Sequence, residues 1–76
     1  MVVDLVNYIL VNLVAEPEQL EVRAEQNDRS LVIEVTCAPD DAGRIIGRGG
    51  RVINAVRTLA RAATDGRQRV EVQLLE

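Results

Sequence analysis

The sequence predicts an α+β domain: a three-stranded mixed sheet with three helices packed on one face, in the order helix, strand, strand, helix, helix, strand. Three observations carry this. Apolar residues recur at helical spacing in three segments and at alternate positions in three others. Three of the five glycines sit together in Gly47-Arg48-Gly49-Gly50, between two of the helical segments. The 76 residues hold no repeat, linker or low-complexity stretch, so one domain is expected over 1–76.

The first helix is expected from Val2 to Leu13, with Val2, Val3, Val6, Ile9, Leu10 and Leu13 on one stripe. Leu5, Val11 and Val14 make that stripe wider than one small sheet needs. Deep burial in the monomer and a self-association surface both account for the width. Tyr8, the only aromatic residue, lies near the polar side. Pro17 ends the segment, because proline cannot continue a helix.

Leu20 to Gln26 alternates, with Leu20, Val22 and Ala24 on one face, and reads as a half-buried strand. Asn27-Asp28-Arg29-Ser30 is a turn cluster. Leu31 to Cys37 is the strongest strand, with Leu31, Ile33, Val35 and Cys37 inward. The two strands form a hairpin.

Pro39 opens the second helix, and Asp40 and Asp41 suit its N-terminus as caps rather than as a catalytic pair. Gly43 inside it costs up to about 1 kcal/mol relative to alanine, which close approach by another element would justify. Gly47 stops this helix. The third helix runs from Gly50 or Arg51 to Thr64, with Val52, Ile53, Val56, Leu59, Ala60 and Ala63 as its buried stripe, and Asp65-Gly66 ends it. Arg69 to Leu75 is the third strand, with Val70, Val72 and Leu74 inward. Two helices connect it to the second strand, so the two strands are parallel when adjacent.

Composition excludes several function classes. There is no histidine and one cysteine, Cys37, which removes the commonest general base and leaves zinc without a ligand set. Cys37 reads as a small apolar residue in a reducing compartment. No apolar run approaches the roughly 18 residues of a membrane span, and no signal peptide is apparent, so a cytoplasmic location with no membrane partner is expected. No cofactor motif is present: the P-loop requires a lysine and the chain has none, and the glycine loop follows a helix, not the strand of a dinucleotide site. An enzyme is not expected.

The net charge of −3 conceals an asymmetry. Residues 1–42 hold Arg23 and Arg29 against nine acids, while residues 43–69 hold seven arginines against Asp65 alone. Local field rather than total charge steers an anionic ligand. Arg44, Arg48 and Arg51 bracket the glycine turn. Gly47, Gly49 and Gly50 let a sugar-phosphate backbone approach, and the start of the third helix directs N–H groups and its positive dipole end at a phosphate. One of Ile45 and Ile46, with one of Val52 and Ile53, should floor a narrow aliphatic groove for bases; periodicity leaves open which of each pair faces the groove. Asn54, on the polar side of the third helix, completes the candidate set.

Ile46-Gly47-Arg48-Gly49-Gly50 at a helix–helix junction, in this order of elements, resembles a type II KH domain, in which such a loop clamps a nucleic-acid backbone. The resemblance is closest to the small bacterial KH-domain RNA-binding protein A (KhpA) family and covers nearly the whole chain. It implies single-stranded RNA held over about four nucleotides, with Gly47, Arg48, Gly49, Gly50, Arg51, Arg44, Ile46, Ile45, Val52 and Asn54 as the binding set. It also implies an RNA chaperone or post-transcriptional regulator linked to cell elongation and division, working as a homodimer or paired with a second KH-domain protein. Gly49 departs from the usual polar or basic residue, and loosens the loop before binding. The rival reading is a protein–protein interaction module or ribosome-associated assembly factor with little RNA affinity. A dimer is expected through the first helix or an exposed sheet edge.

Overall fold

The computed structural model describes residues 2–75; Met1 and Glu76, the ends of the expected 1–76 domain, lie outside the described residues. The chain runs α1 (Val2–Val11), β1 (Glu21–Gln26), β2 (Ser30–Thr36), α2 (Ala42–Ile46), α3 (Arg51–Ala63) and β3 (Arg69–Leu74). Single 3-10 turns lie at Pro17–Gln19, Pro39–Asp41 and Arg48–Gly50. The order of elements is the expected one. β2 is central, with β1 antiparallel on one side and β3 parallel on the other, Ser30 opposite Arg69.

Alternation on β2 is clean: Leu31, Ile33 and Val35 are buried, and Val32, Glu34 and Thr36 are half-buried on the opposite face. Val70 and Val72 join the inward set, and Val6, Leu10, Ile45, Val56 and Ala60 close over it. The three helices thus share one face of the sheet. Burying a valine, leucine or isoleucine is worth roughly 1.5–3 kcal/mol, and a ten-residue helix is marginal alone. Val6 and Leu10, at 0% and 1% exposure, therefore hold α1 in place.

Several boundaries and faces differ from expectation, each for a physical reason. α1 ends at Val11, not Leu13, because the Leu13 and Val14 N–H groups both donate to the Leu10 carbonyl, at 2.9 and 3.2 Å, and close the helix early. Burial in the monomer accounts for Val6 and Leu10 but leaves Tyr8, Val11 and Leu13 exposed. β1 is an exposed edge strand in which only Val22 is half-buried. Cys37 lies just past β2 and is half-buried. In α3 the buried residues are Ile53, Val56 and Ala60; Leu59 is half exposed and Ala63 is exposed, because the helix rests on the sheet along a narrow stripe.

The two aspartates do not cap α2 with their side chains. Asp40 is exposed. Asp41 is the one charged side chain that is buried among the described residues, and it reaches backwards across the fold. Its two oxygens accept the Ala15 N–H at 2.9 Å, the Glu16 N–H at 3.0 Å and Arg44 Nη1 at 3.0 Å. The Ala15 bond, with those from Glu16 and Arg44, lowers its pKa below the ordinary aspartate value, against desolvation, which raises it. Gly43 does not serve a close approach: a Cβ there would meet nothing within 4 Å.

Candidate nucleic-acid interface

Gly47 must be glycine. Its φ of 75° and ψ of 171° lie in a region that side chains essentially never occupy. A Cβ there would also come within 2.5 Å of Val52 Cγ2 and 2.8 Å of the Val52 backbone nitrogen. The missing side chain thus lets α2 end directly against the first turn of α3. The Gly47 N–H donates to the Gly43 carbonyl at 2.8 Å and closes α2. Gly49 and Gly50 follow with φ of 63° and 82°. Three positive φ values within four residues reverse the chain in a space that only glycine tolerates readily.

The turn faces solvent. Arg48, Gly49 and Arg51 are exposed, and Gly47 and Gly50 are half-buried. No side chain caps the start of α3; its first N–H, that of Arg51, donates to the Arg48 carbonyl, and the Gly50 N–H donates to the Gly47 carbonyl at 3.1 Å. Arg48 and Arg51 make no side-chain hydrogen bond or ion pair with another described residue. Two exposed guanidinium groups and the positive dipole end of α3 therefore lie together beside a chain reversal with almost no side-chain bulk. That arrangement suits a phosphate.

The apolar pairs resolve. Ile45 is 1% exposed and belongs to the core, so its inclusion in the binding set is corrected: it packs beneath the site and does not line it. Ile53 is likewise buried. Ile46 and Val52 are half-buried on either side of Gly47 and are the apolar side chains available at the surface. No enclosed pocket forms among the described residues.

The arginines divide more sharply than their spacing indicates. Arg44 is tied to Asp41 at 3.0 Å and to the Asp40 carbonyl at 3.5 Å, so part of its charge is met within the fold. Arg57 donates through Nε and Nη2 to the Val72 carbonyl, at 3.2 and 2.9 Å, and through Nη1 to Asn54 Oδ1 at 3.0 Å. Arg61 Nε donates to the Val70 carbonyl at 3.3 Å. The sheet register explains these bonds. The Arg69 and Leu75 N–H groups point at β2 and its flanks, so the carbonyls of Val70 and Val72, in the opposite phase, face the free edge of β3. Four residues of helix rise about 6 Å and two residues of strand about 6.6 Å. Arg57 and Arg61 therefore match Val72 and Val70 in spacing. Sequence reasoning missed this pairing; the i, i+4 arginines on a helix leading into an edge strand were its only signal.

Asn54 sits one turn into α3, and its Nδ2 lies 3.5 Å from where a Gly50 Cβ would be. Its Oδ1 is held by Arg57, which links the edge contact to the rim of the turn. Among the described residues no group of three or more histidine, cysteine or acidic side chains could hold a metal. No helix among them is long and apolar enough to cross a membrane.

The family described as KhpA/KhpB, KH domain matches residues 3–74. The chain is 38% identical over 76 residues to the RNA-binding protein KhpA of Leifsonia xyli subsp. xyli, an alignment that covers 100% of this chain and 99% of the relative. It is 36% identical over 74 residues to the RNA-binding protein KhpA of Chlamydia caviae, covering 96% and 95%. It is 38% identical over 73 residues to that of Caldanaerobacter subterraneus subsp. tengcongensis, covering 95% and 97%.

Proposed function

Because this chain belongs to the KhpA/KhpB KH-domain family, we propose that it binds single-stranded RNA, taking the sugar-phosphate backbone against Gly47, Arg48, Gly49 and Gly50. The observation that carries this reading is the turn itself: three glycines with positive φ between two helices, beside the exposed guanidinium groups of Arg48 and Arg51, which have no side-chain partner among the described residues. The relatives, each named an RNA-binding protein, support it.

In this reading Gly47 shapes the turn, Gly49 admits the backbone, and Arg48 and Arg51 supply charge to successive phosphates. Ile46 and Val52 offer an apolar ledge to unpaired bases, and Asn54 lies at the rim. Arg44 contributes less, because Asp41 already holds it. Most contacts are to phosphate and sugar, so sequence preference is shallow. Stacking plays little part: Tyr8 is the only aromatic residue, and it lies on α1, away from the turn in sequence.

The chain acts as one cytoplasmic KH domain over 1–76, as an RNA chaperone or post-transcriptional regulator and not as an enzyme, in the setting of cell elongation and division that the family resemblance implies. It works as a homodimer or paired with a second KH-domain protein. The exposed apolar side chains of α1 and its end, Tyr8, Val11 and Leu13, favour that helix as the contact. The free edge of β3 is the weaker choice, since Arg57 and Arg61 already occupy its carbonyls.

The test is anisotropy of a labelled, unstructured RNA oligonucleotide with wild type and with Arg48→Asp combined with Gly49→Asp. The double variant should keep its circular dichroism and lose RNA binding, and wild-type affinity should fall as salt rises. Binding by the double variant at the wild-type level would reduce the turn to a connector and favour the protein-interaction reading.

A further inference from the structure

α2 is five residues long, about 7.5 Å, and too short to hold its own orientation. It carries the Gly47–Gly50 turn at its C-terminal end, so whatever fixes α2 fixes the turn. Three contacts do so. Ile45 anchors its middle in the core. Gly47 seats its end against Val52. Its beginning is held by the Asp41 carboxylate, 1% exposed, which accepts the backbone N–H groups of Ala15 and Glu16 in the connector after α1.

The third is the only polar anchor of the three, and its two backbone hydrogen bonds tie α2 to residues 26 and 25 positions away. A single apolar side chain such as Ile45 lets a short helix rotate about its point of contact. Two directed hydrogen bonds to the ends of one carboxylate resist that rotation. Arg44 Nη1 adds a third donor from within α2 and keeps the carboxylate charged and aimed.

We propose that Asp41 is a positioning residue for the turn: its carboxylate locks α2 to the Ala15-Glu16 connector and so sets the pose in which Gly47, Arg48 and Gly49 meet a phosphate backbone. It does not touch the ligand. A buried carboxylate with three donors is costly to rebuild as a neutral group, because an amide turns one acceptor into a donor that faces another N–H. The connector and the turn thus move as one piece, although α1 and α2 are far apart in sequence. The binding part of this inference rests on the reading of the turn given above; the positional part does not.

The experiment uses the full chain with Asp41→Asn, and Leu31→Ala as a core truncation in the central strand with a comparable loss of stability. Two quantities are read well below both melting midpoints: the amide NMR signals of Gly47, Gly49 and Gly50, and the affinity for the labelled RNA oligonucleotide. Asp41→Asn should displace the three glycine signals and weaken RNA binding by roughly tenfold, the scale on which losing an outer-shell hydrogen bond weakens other sites. The salt dependence should keep its wild-type slope, because no phosphate contact is lost. Leu31→Ala should leave the glycine signals and the affinity near wild type. Unmoved glycine signals in Asp41→Asn, or equal weakening in the two variants, would overturn the proposal. If Asp41→Asn does not fold, Asp41→Glu, which keeps the charge and shifts the oxygens by one methylene, should displace the same three signals, and its failure to do so would overturn the proposal equally. A wild-type chain that binds no RNA would remove the proposed function and leave the glycine signals to decide the role of Asp41.

Discussion

Arg48 and Arg51 stand beside the glycine turn, exposed and without a side-chain partner among the described residues. Arg57 and Arg61 lie further along the same helix, and their guanidinium groups close the free carbonyls of β3. The four arginines look alike in the sequence and in a count of charge. The fold leaves two of them exposed beside the turn and ties two of them to the sheet. Charge density along a chain therefore overstates the interface when part of that charge is already hydrogen-bonded.

The contrast can be broken most severely at Gly47. Gly47→Ala places a methyl group against Val52 at a backbone conformation reserved for glycine. It should cost roughly 3 kcal/mol of stability, read as a lower urea midpoint. A variant as stable as wild type would mean that α2 and α3 need not meet as closely as they do.

Arg57→Ala comes next. Removing the guanidinium leaves the Val72 carbonyl at an open strand edge, where water replaces part of what is lost. A cost of about 1 kcal/mol is expected, with the salt dependence of RNA binding unchanged. A large drop in that salt dependence would move Arg57 into the interface and erase the contrast.

Acid should sharpen the role of Asp41. Its pKa is lowered in the folded chain, first by the Ala15 N–H, so the folded state favours the ionised form. The stability it contributes is present above the unfolded aspartate value of about 3.9 and is lost as pH falls from there through the lowered folded value. Urea midpoints measured from pH 6 downward should fall less steeply in Asp41→Asn than in wild type.

The smallest effect is expected at Gly43. It is exposed, helical and contacts nothing where a Cβ would be. Gly43→Ala should raise stability by up to about 1 kcal/mol and leave RNA affinity alone. A loss of stability would point to a constraint on α2 that its surroundings do not reveal.

The order of elements and the sheet topology were legible because they rest on local signals: alternation in Leu31, Ile33 and Val35, glycine after a helix at Gly47 and Gly66, and two helices between parallel strands. The turn was legible for the same reason. What was not legible depends on distance. The carboxylate of Asp41 looks like a helix cap in sequence, and only folding brings the Ala15 and Glu16 amides to it. Ile45 and Ile46 are adjacent and equally apolar, and only the packing of a five-residue helix sends the first into the core. Leu59 fits the apolar period of α3, yet the narrow contact with the sheet leaves it half exposed.

The most direct test is the salt dependence of RNA affinity in three proteins: wild type, Arg48→Gln with Arg51→Gln, and Arg57→Gln with Arg61→Gln. Each lost phosphate contact to a single strand lowers the slope of log affinity against log salt by about 0.7. The turn pair should therefore flatten the slope by about 1.4, while the edge pair keeps the wild-type slope. A wild-type slope in the turn variant, or the same flattening in both, would contradict the assignment of phosphate binding to the turn.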